Sequence, residues 1–323
     1  MTASKPKILY IGPHNEDSDI GEISRTDLVE LHTLTQKGIS KIDLATRSIG
    51  NNDYKDPTWP YHIPSYDSMS LESVSHIIQY GYPERWERYG NYKHIGYLDV
   101  TQDNISKERF LSNIEMMDEI WSPTVYGCRL LEKHCNTPVK LTPHTVDLSL
   151  YEKDWNISEI PEISGTFKFL CSSNNVRDME TTIEAFFKEF DPTEPVTLVL
   201  RTHSSVNELI KSIKQKLKLY QTDAYQKIVL IDNKLSFAQM MGLYKYCDCY
   251  ISELSLSPST IAQTLPVRHA IGFDKHIIGF DNLEKVQSDM RYVYEQREKK
   301  GYTISKSYLF DKEFGKRVMK ELI

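Results

Sequence analysis

The feature that most constrains this chain is a short pattern repeated along it: an apolar strand, a turn, an amphipathic helix, then another apolar strand. The first strand is Ile8-Leu9-Tyr10-Ile11, ended by the turn residues Gly12 and Pro13. A polar loop follows over 14–21. The spacing of Leu28, Leu31 and Leu34 predicts a helix over 27–37, stopped by Gly38, and Ile42-Asp43-Leu44-Ala45 reads as the next strand. A strand, helix and strand at this spacing form a parallel βαβ unit. Further strands are predicted over 76–78, 94–100, 119–121 and 139–141, with helices over 110–117 and 125–133.

A second series begins after a polar, irregular stretch at 151–165. Strands are predicted over 167–170, 196–200, 228–231, 249–251 and 277–279. Helices are predicted over 181–190, 206–219 and 237–246. In the first of these, Ile183, Phe186, Phe187 and Phe190 share one face. Two such series predict an α/β protein with two doubly wound, Rossmann-like domains facing a cleft. The length of 323 residues suits two cores of ordinary size. The boundaries are expected at 1–147 and 148–304, with a C-terminal helix at about 305–323 packing back on the first domain.

Composition narrows the function. Net charge is −6 and the pI is about 6.0, so binding to nucleic acid or an anionic membrane would need a local basic patch. One candidate is the lysine-rich stretch 211–218, which also reads as a solvated helix face. The five cysteines are scattered and odd in number, which argues against a disulfide framework and for packing roles in a cytoplasmic protein. No apolar run is long enough for a membrane span, and the first residues lack a signal-peptide core. Gly12 stands alone after the first strand, without the Gly-x-Gly-x-x-Gly of a dinucleotide-binding dehydrogenase.

Several segments, in order, resemble family 4 glycosyltransferases of the GT-B fold. In the second half they are FKFLCSSNNVRDMETTIEAFFKEF from Phe167, IVLIDNKLSFAQMMGLYKYCDCYI from Ile228, and HAIGFDKHIIG from His269. In the first half they are YKHIGYLDVTQD from Tyr92 and MDEIWSPTVYG from Met117, with Pro143-His144-Thr145-Val146-Asp147 at the domain crossing. The resemblance implies transfer of a sugar from a nucleotide-diphosphate sugar, most simply a UDP-sugar, to an acceptor hydroxyl. It further implies retention of anomeric configuration and no required metal or other cofactor. The acceptor is left open among a glycan, a lipid-linked sugar and a hydroxymethylated DNA base.

The resemblance also assigns roles. A diphosphate leaving group needs cationic side chains and helix N-termini. Arg177 matches the family's phosphate-binding arginine, while Asp178 stands where the family has lysine. Arg201, ending an apolar strand, offers a replacement charge. Glu253 matches the family glutamate placed near the transferred sugar. Ser255, Ser257, Ser259 and Thr260 supply hydroxyls and a helix start for phosphate, although the family's glycines are missing there. The family's second glutamate falls on His269, which is equally readable as a core histidine. Gly21 resembles the family's glycine loop and would let backbone approach a ligand. Asp99, ending a strand, is placed to orient or deprotonate the acceptor hydroxyl. Asp17-Ser18-Asp19 has the form of an Asp-x-Asp metal motif but lies in the first loop. The departures leave a second reading open: an inactive GT-B-like module that only binds a sugar nucleotide or a protein.

Overall fold

The computed structural model describes residues 7–36, 43–49, 55–61, 74–100, 105, 108–144, 146–155, 164–173, 176–202, 206–219, 226–252, 265–279 and 282–296. The chain divides into two compact units, the first running to Leu148 and the second starting at Ser149. The proposed C-terminal helix at 305–323 lies outside the described residues.

Unit 1 contains the strands β1 (Lys7–Gly12), β2 (Asp43–Ser48), β3 (Val74–Tyr80), β4 (Lys93–Tyr97), β5 (Glu119–Ser122) and β6 (Val139–Leu141). Its helices are α1 (Asp19–Gln36), α2 (Glu108–Glu115) and α3 (Val125–His134). The strands form one sheet in the order β2-β1-β3-β4-β5-β6, and neighbouring strands are parallel. Every residue of β1 is buried, as expected of a central strand covered on both faces. The rings of Tyr80, Tyr97 and Trp121 line up across three strands, with centroids 5.2 and 6.2 Å apart.

Unit 2 contains β7 (Phe167–Ser172), β8 (Val196–Arg201), β9 (Lys227–Ile231), β10 (Cys249–Ser252) and β11 (His276–Gly279). Its helices are α4 (Val176–Glu189), α5 (Asn207–Lys216), α6 (Phe237–Tyr246), α7 (Leu265–Gly272) and α8 (Leu283–Glu295). The sheet order is β11-β10-β7-β8-β9, again parallel between neighbours. Phe169, Phe186, Phe190 and Tyr294 form the aromatic centre of its core. Arg291 lies 4.7 Å from the Phe190 ring and donates to Glu189 and Glu194 at 2.6 Å each, tying α8 to the end of α4. These carboxylates hold its proton more firmly than in a free guanidinium.

Most predicted elements are present with shifted ends. Helix α1 starts at Asp19, eight positions before the expected 27, so part of the expected polar loop is helical. The reason is Ser18. Its hydroxyl accepts from the Gly21 amide at 3.2 Å and its carbonyl from the Glu22 amide at 2.9 Å, a helix cap. Asp17-Ser18-Asp19 is therefore a helix entry. Helix α4 starts at Val176, before the expected 181, and β4 ends at Tyr97, before the expected 100. Helix α8 was not expected from the sequence. In α8, Asn282 caps the Lys285 amide at 2.9 Å, and Val286, Met290 and Val293 are buried at helical spacing.

The two units share one further device. Asp118, just before β5, donates its amide to the His94 carbonyl at 2.9 Å, and its carboxylate accepts from the His94 amide at 2.8 Å. Asp248, just before β10, does the same with Lys168, at 2.9 and 2.8 Å. Each aspartate pins the start of its strand to the neighbouring strand. Asp248 also accepts from Lys168 Nζ at 3.1 Å. Asp248, in the segment from Ile228 that resembles the family, is thus a structural staple at the N-terminal edge of the sheet.

Candidate functional site

In an open parallel sheet, ligands gather outside the C-terminal strand ends where the strand order reverses. In unit 2 the order places β10 on one side of β7 and β8 on the other, so the reversal lies between β7 and β10. The loop after β7 leads into α4, whose positive N-terminus faces the same edge. The loop after β10 carries Glu253, Ser255, Ser257, Ser259 and Thr260. These five candidates lie outside the described residues.

Arg177 is the second residue of α4, with an exposed side chain. Asp178 next to it does not stand as an isolated negative charge, because Ser173 Oγ donates to its carboxylate at 3.2 Å. Arg201 closes β8 opposite Ser172 of β7, and its Nη1 donates to Ser172 Oγ at 3.2 Å. Arg201 Nε is buried with no partner among the described residues. A buried guanidinium nitrogen without an acceptor is costly, so an acidic ligand at this edge would satisfy it. Arg177 and Arg201 therefore share the edge that the topology marks.

His269 has a different environment. It lies in α7, buried, with its ring 5.2 Å from Tyr244 and its Nδ1 3.3 Å from the Tyr151 hydroxyl. Gly272, one helical turn on, has the Tyr151 ring against its backbone, where a Cβ would collide. This contact set is a packed aromatic cluster rather than a surface aimed at solvent.

Unit 1 also has its strand-order reversal next to β1, between it and β3. The loop after β1 is held down by Arg25, which donates to the carbonyls of His14 at 3.1 Å and Glu16 at 2.6 Å and lies 5.1 Å from the Trp59 ring. Tyr82, just after β3, donates to Glu16 at 3.0 Å. Gly21 faces this same loop: a Cβ there would clash with the Glu16 carbonyl. Its missing side chain thus makes room for the protein's own backbone.

Asp99 follows β4 by two residues at the same edge. Its side chain is exposed by area, yet surrounding protein raises its pKa from the ordinary carboxylate value. The charge of His144 and the Val100 amide, 3.0 Å away, act in the opposite direction. Sequence reasoning missed a buried group at the C-terminal ends of β3 and β4. His144, Asp27, Tyr97 and Tyr80 are all buried, and His144 Nδ1 lies 2.6 Å from the Tyr97 hydroxyl and 3.2 Å from Asp27. The sequence offered only Pro143-His144-Thr145-Val146-Asp147 as a hinge and Asp27 as a helix start. By contrast His94, at the other end of β4, is occupied by the Tyr89 backbone at 2.8 Å.

The remaining candidates have structural roles. The described cysteines are buried and form no disulfide among the described residues, and burial pushes the thiols of Cys171 and Cys247 up to about 12, far from reactive thiolates. In the lysine-rich helix, Lys211 pairs with Glu208 at 2.7 Å and Lys216 with Glu184 at 2.6 Å. No described helix is long and apolar enough to cross a membrane.

No protein-family model matches the chain, and no curated protein matches its sequence. Solved structures do match its shape. The Anabaena protein HepE, solved with UDP and glucose, superposes with a TM-score of 0.59 at 12% identity, covering 98% of this chain and 99% of that one. A glycosyltransferase from Rickettsia africae gives 0.58 at 11%, covering 99% of each chain. A UDP-N-acetylglucosamine 2-epimerase gives 0.57 at 13%, covering 98% of this chain and 96% of that one. Two parallel-sheet α/β domains in succession along the chain match the GT-B fold. At these identities the likeness is one of fold.

Proposed function

We propose that this chain is a GT-B glycosyltransferase, related to family 4, which takes a sugar from a UDP-sugar and passes it to an acceptor hydroxyl. The observation that carries the reading is Arg201, whose buried Nε has no partner among the described residues, at the C-terminal edge of unit 2 that also carries Arg177 and the N-terminus of α4. Two guanidinium groups and a helix N-terminus suit a diphosphate, whose charge grows as the sugar leaves. The presence of UDP and glucose in HepE, which shares the fold, supports the choice of a UDP-sugar.

In this reading unit 2 holds the donor. Arg201 and Arg177 bind the diphosphate, and the Ser255, Ser257, Ser259 and Thr260 loop adds hydroxyls. Glu253 lies by the transferred sugar, and His269 supports the nucleotide side from its aromatic cluster. Unit 1 handles the acceptor. Asp99, whose raised pKa brings it closer to a proton acceptor, takes the hydroxyl proton as the new glycosidic bond forms. The bond from the anomeric carbon to the phosphate oxygen breaks, and its electron pair stays on UDP. The family likeness favours retention of anomeric configuration and independence from metal. A glycan, a lipid-linked sugar or a hydroxymethylated DNA base remains the acceptor class to be tested, in a cytoplasmic setting.

The test is incubation of the protein with UDP-glucose and UDP-N-acetylglucosamine, with products separated by chromatography. UDP together with free or transferred sugar is expected, reduced in Arg201→Ala. A 2-epimer of the intact donor would replace transfer with epimerisation. Tight binding without any product would support the inactive binding module instead.

A further inference from the structure

Ser172 and Arg201 are register partners at the ends of β7 and β8. The residues before them are buried, and each of the two is half-buried where its strand leaves the core. Side chains alternate between the faces of a sheet. Phe169 and Cys171 of β7, Leu198 and Leu200 of β8, and Cys249 and Ile251 of β10 all belong to the core packed on one face. Ser172, Arg201 and Tyr250 therefore share the opposite face.

On that face one arm of Arg201 is already engaged, because its Nη1 donates to Ser172 Oγ at 3.2 Å. A guanidinium is planar, and its Nε–H and one N–H of Nη2 point the same way, as a two-pronged fork. This fork matches two oxygens of a phosphate or a carboxylate. Nε is buried and has no hydrogen-bond partner among the described residues. The bond to Ser172 thus takes Nη1 and leaves the fork of Nε and Nη2 for a ligand.

Ser172 is itself held from both sides. The amide of Ser173 next to it donates to the Arg201 carbonyl at 3.3 Å. From β10, on the other side of β7, the Tyr250 hydroxyl donates to the Ser172 carbonyl at 3.4 Å. A free arginine side chain samples many rotamers, and fixing it before a ligand arrives removes an entropic cost from binding. A hydroxyl on a fixed backbone supplies that restraint.

We infer that Ser172 is a positioning residue for the donor diphosphate: by occupying Nη1 it sets the Arg201 guanidinium so that Nε and Nη2 grip two oxygens of one phosphate. The inference rests on the reading above that unit 2 holds a UDP-sugar, and it adds Ser172 to the residues of that site. It also separates the two arginines. Arg201 is a fork held in place, whereas Arg177 is a charge on an exposed side chain. Lysine at position 201 would bring the charge without the fork.

Calorimetric titration with UDP tests this through a double-variant cycle. Ser172→Ala is expected to weaken UDP binding about tenfold, the scale of one hydrogen bond to a charged group. In the Arg201→Ala background the same change should alter affinity by less than about twofold, because no guanidinium is left to orient. Ser172→Thr keeps the hydroxyl and should bind within about threefold of the unmodified protein, while Arg201→Lys should bind about tenfold or more weakly. A merely structural Ser172 would instead cost the same factor in both backgrounds. Equal losses in the two backgrounds, the same loss in Ser172→Thr as in Ser172→Ala, or full affinity in Ser172→Ala or Arg201→Lys would overturn the inference and leave the donor reading in place. A loss seen with UDP-glucuronic acid but not with UDP would assign the fork to a sugar carboxylate and also overturn it. No binding of UDP by the unmodified protein would overturn the donor reading and this inference together.

Discussion

The two units are alike at one end of their sheets and different at the other. At the N-terminal strand ends, Asp118 and Asp248 form the same two-bond staple to the neighbouring strand. At the C-terminal strand ends, unit 1 carries a buried polar group in which His144 Nδ1 contacts both the Tyr97 hydroxyl and the Asp27 carboxylate. Unit 2 carries guanidinium groups, one of which has a buried nitrogen without a partner among the described residues. The shared end maintains the fold. The differing ends set a buried polar cluster in unit 1 against an edge that carries guanidinium groups in unit 2.

The largest expected effect tests the open end of unit 2. Arg201→Ala should weaken UDP binding about 100-fold by calorimetric titration, in line with about 1.5–3 kcal/mol for a hydrogen bond to a charged group. Equal affinity in the variant would remove the contrast between the two ends. A smaller effect is expected at the staple. Asp248→Ala should cost about 2 kcal/mol in urea unfolding, since it leaves backbone groups of Lys168 with fewer partners. Asp118→Ala should cost less, because the Arg88 arm of its network is exposed. A much larger loss at Asp118 would mean that the two staples are not equivalent. Arg177→Ala, on an exposed side chain, should reduce UDP affinity only about three- to tenfold.

The smallest effect is one of pH. Burial alone would raise the pKa of Asp118, but the His94 amide and Arg88 outweigh it and hold the carboxylate below its ordinary value of 3.8. A group with a lowered folded pKa stabilises the protein above its unfolded pKa and loses that contribution as pH falls through the folded one. The stability gap between the unmodified protein and Asp118→Asn should therefore be constant at neutral pH and shrink below about pH 4. A gap that widens on acidification would show that the aspartate is not the charged partner.

Much of the fold was legible because a parallel strand buried on both faces must be an apolar run, as in Ile8 to Ile11 or Val196 to Leu200. Helix starts were less legible. The entry to α1 depends on Ser18 bonding to Gly21, and a serine in a polar loop signals this only weakly. Helix α8 could have been found from Leu283, Val286, Met290 and Val293, whose spacing is helical. At the site, Arg201 was legible as a positive charge ending an apolar strand. The His144 group was not, because its parts come from α1, β4 and the segment after β6, and no local pattern links residues so far apart. Gly21 shows the opposite error: a missing side chain suggests room for a ligand, but here that room holds the Glu16 carbonyl.

The central claim is that a sugar nucleotide places its phosphates on the C-terminal edge of unit 2. Hydrogen–deuterium exchange with and without UDP tests it most directly. Slower exchange is expected at the ends of β7 and β8 and in the first turn of α4, with the staple ends of both sheets unchanged. No change at that edge under saturating UDP, or protection confined to unit 1, would contradict it.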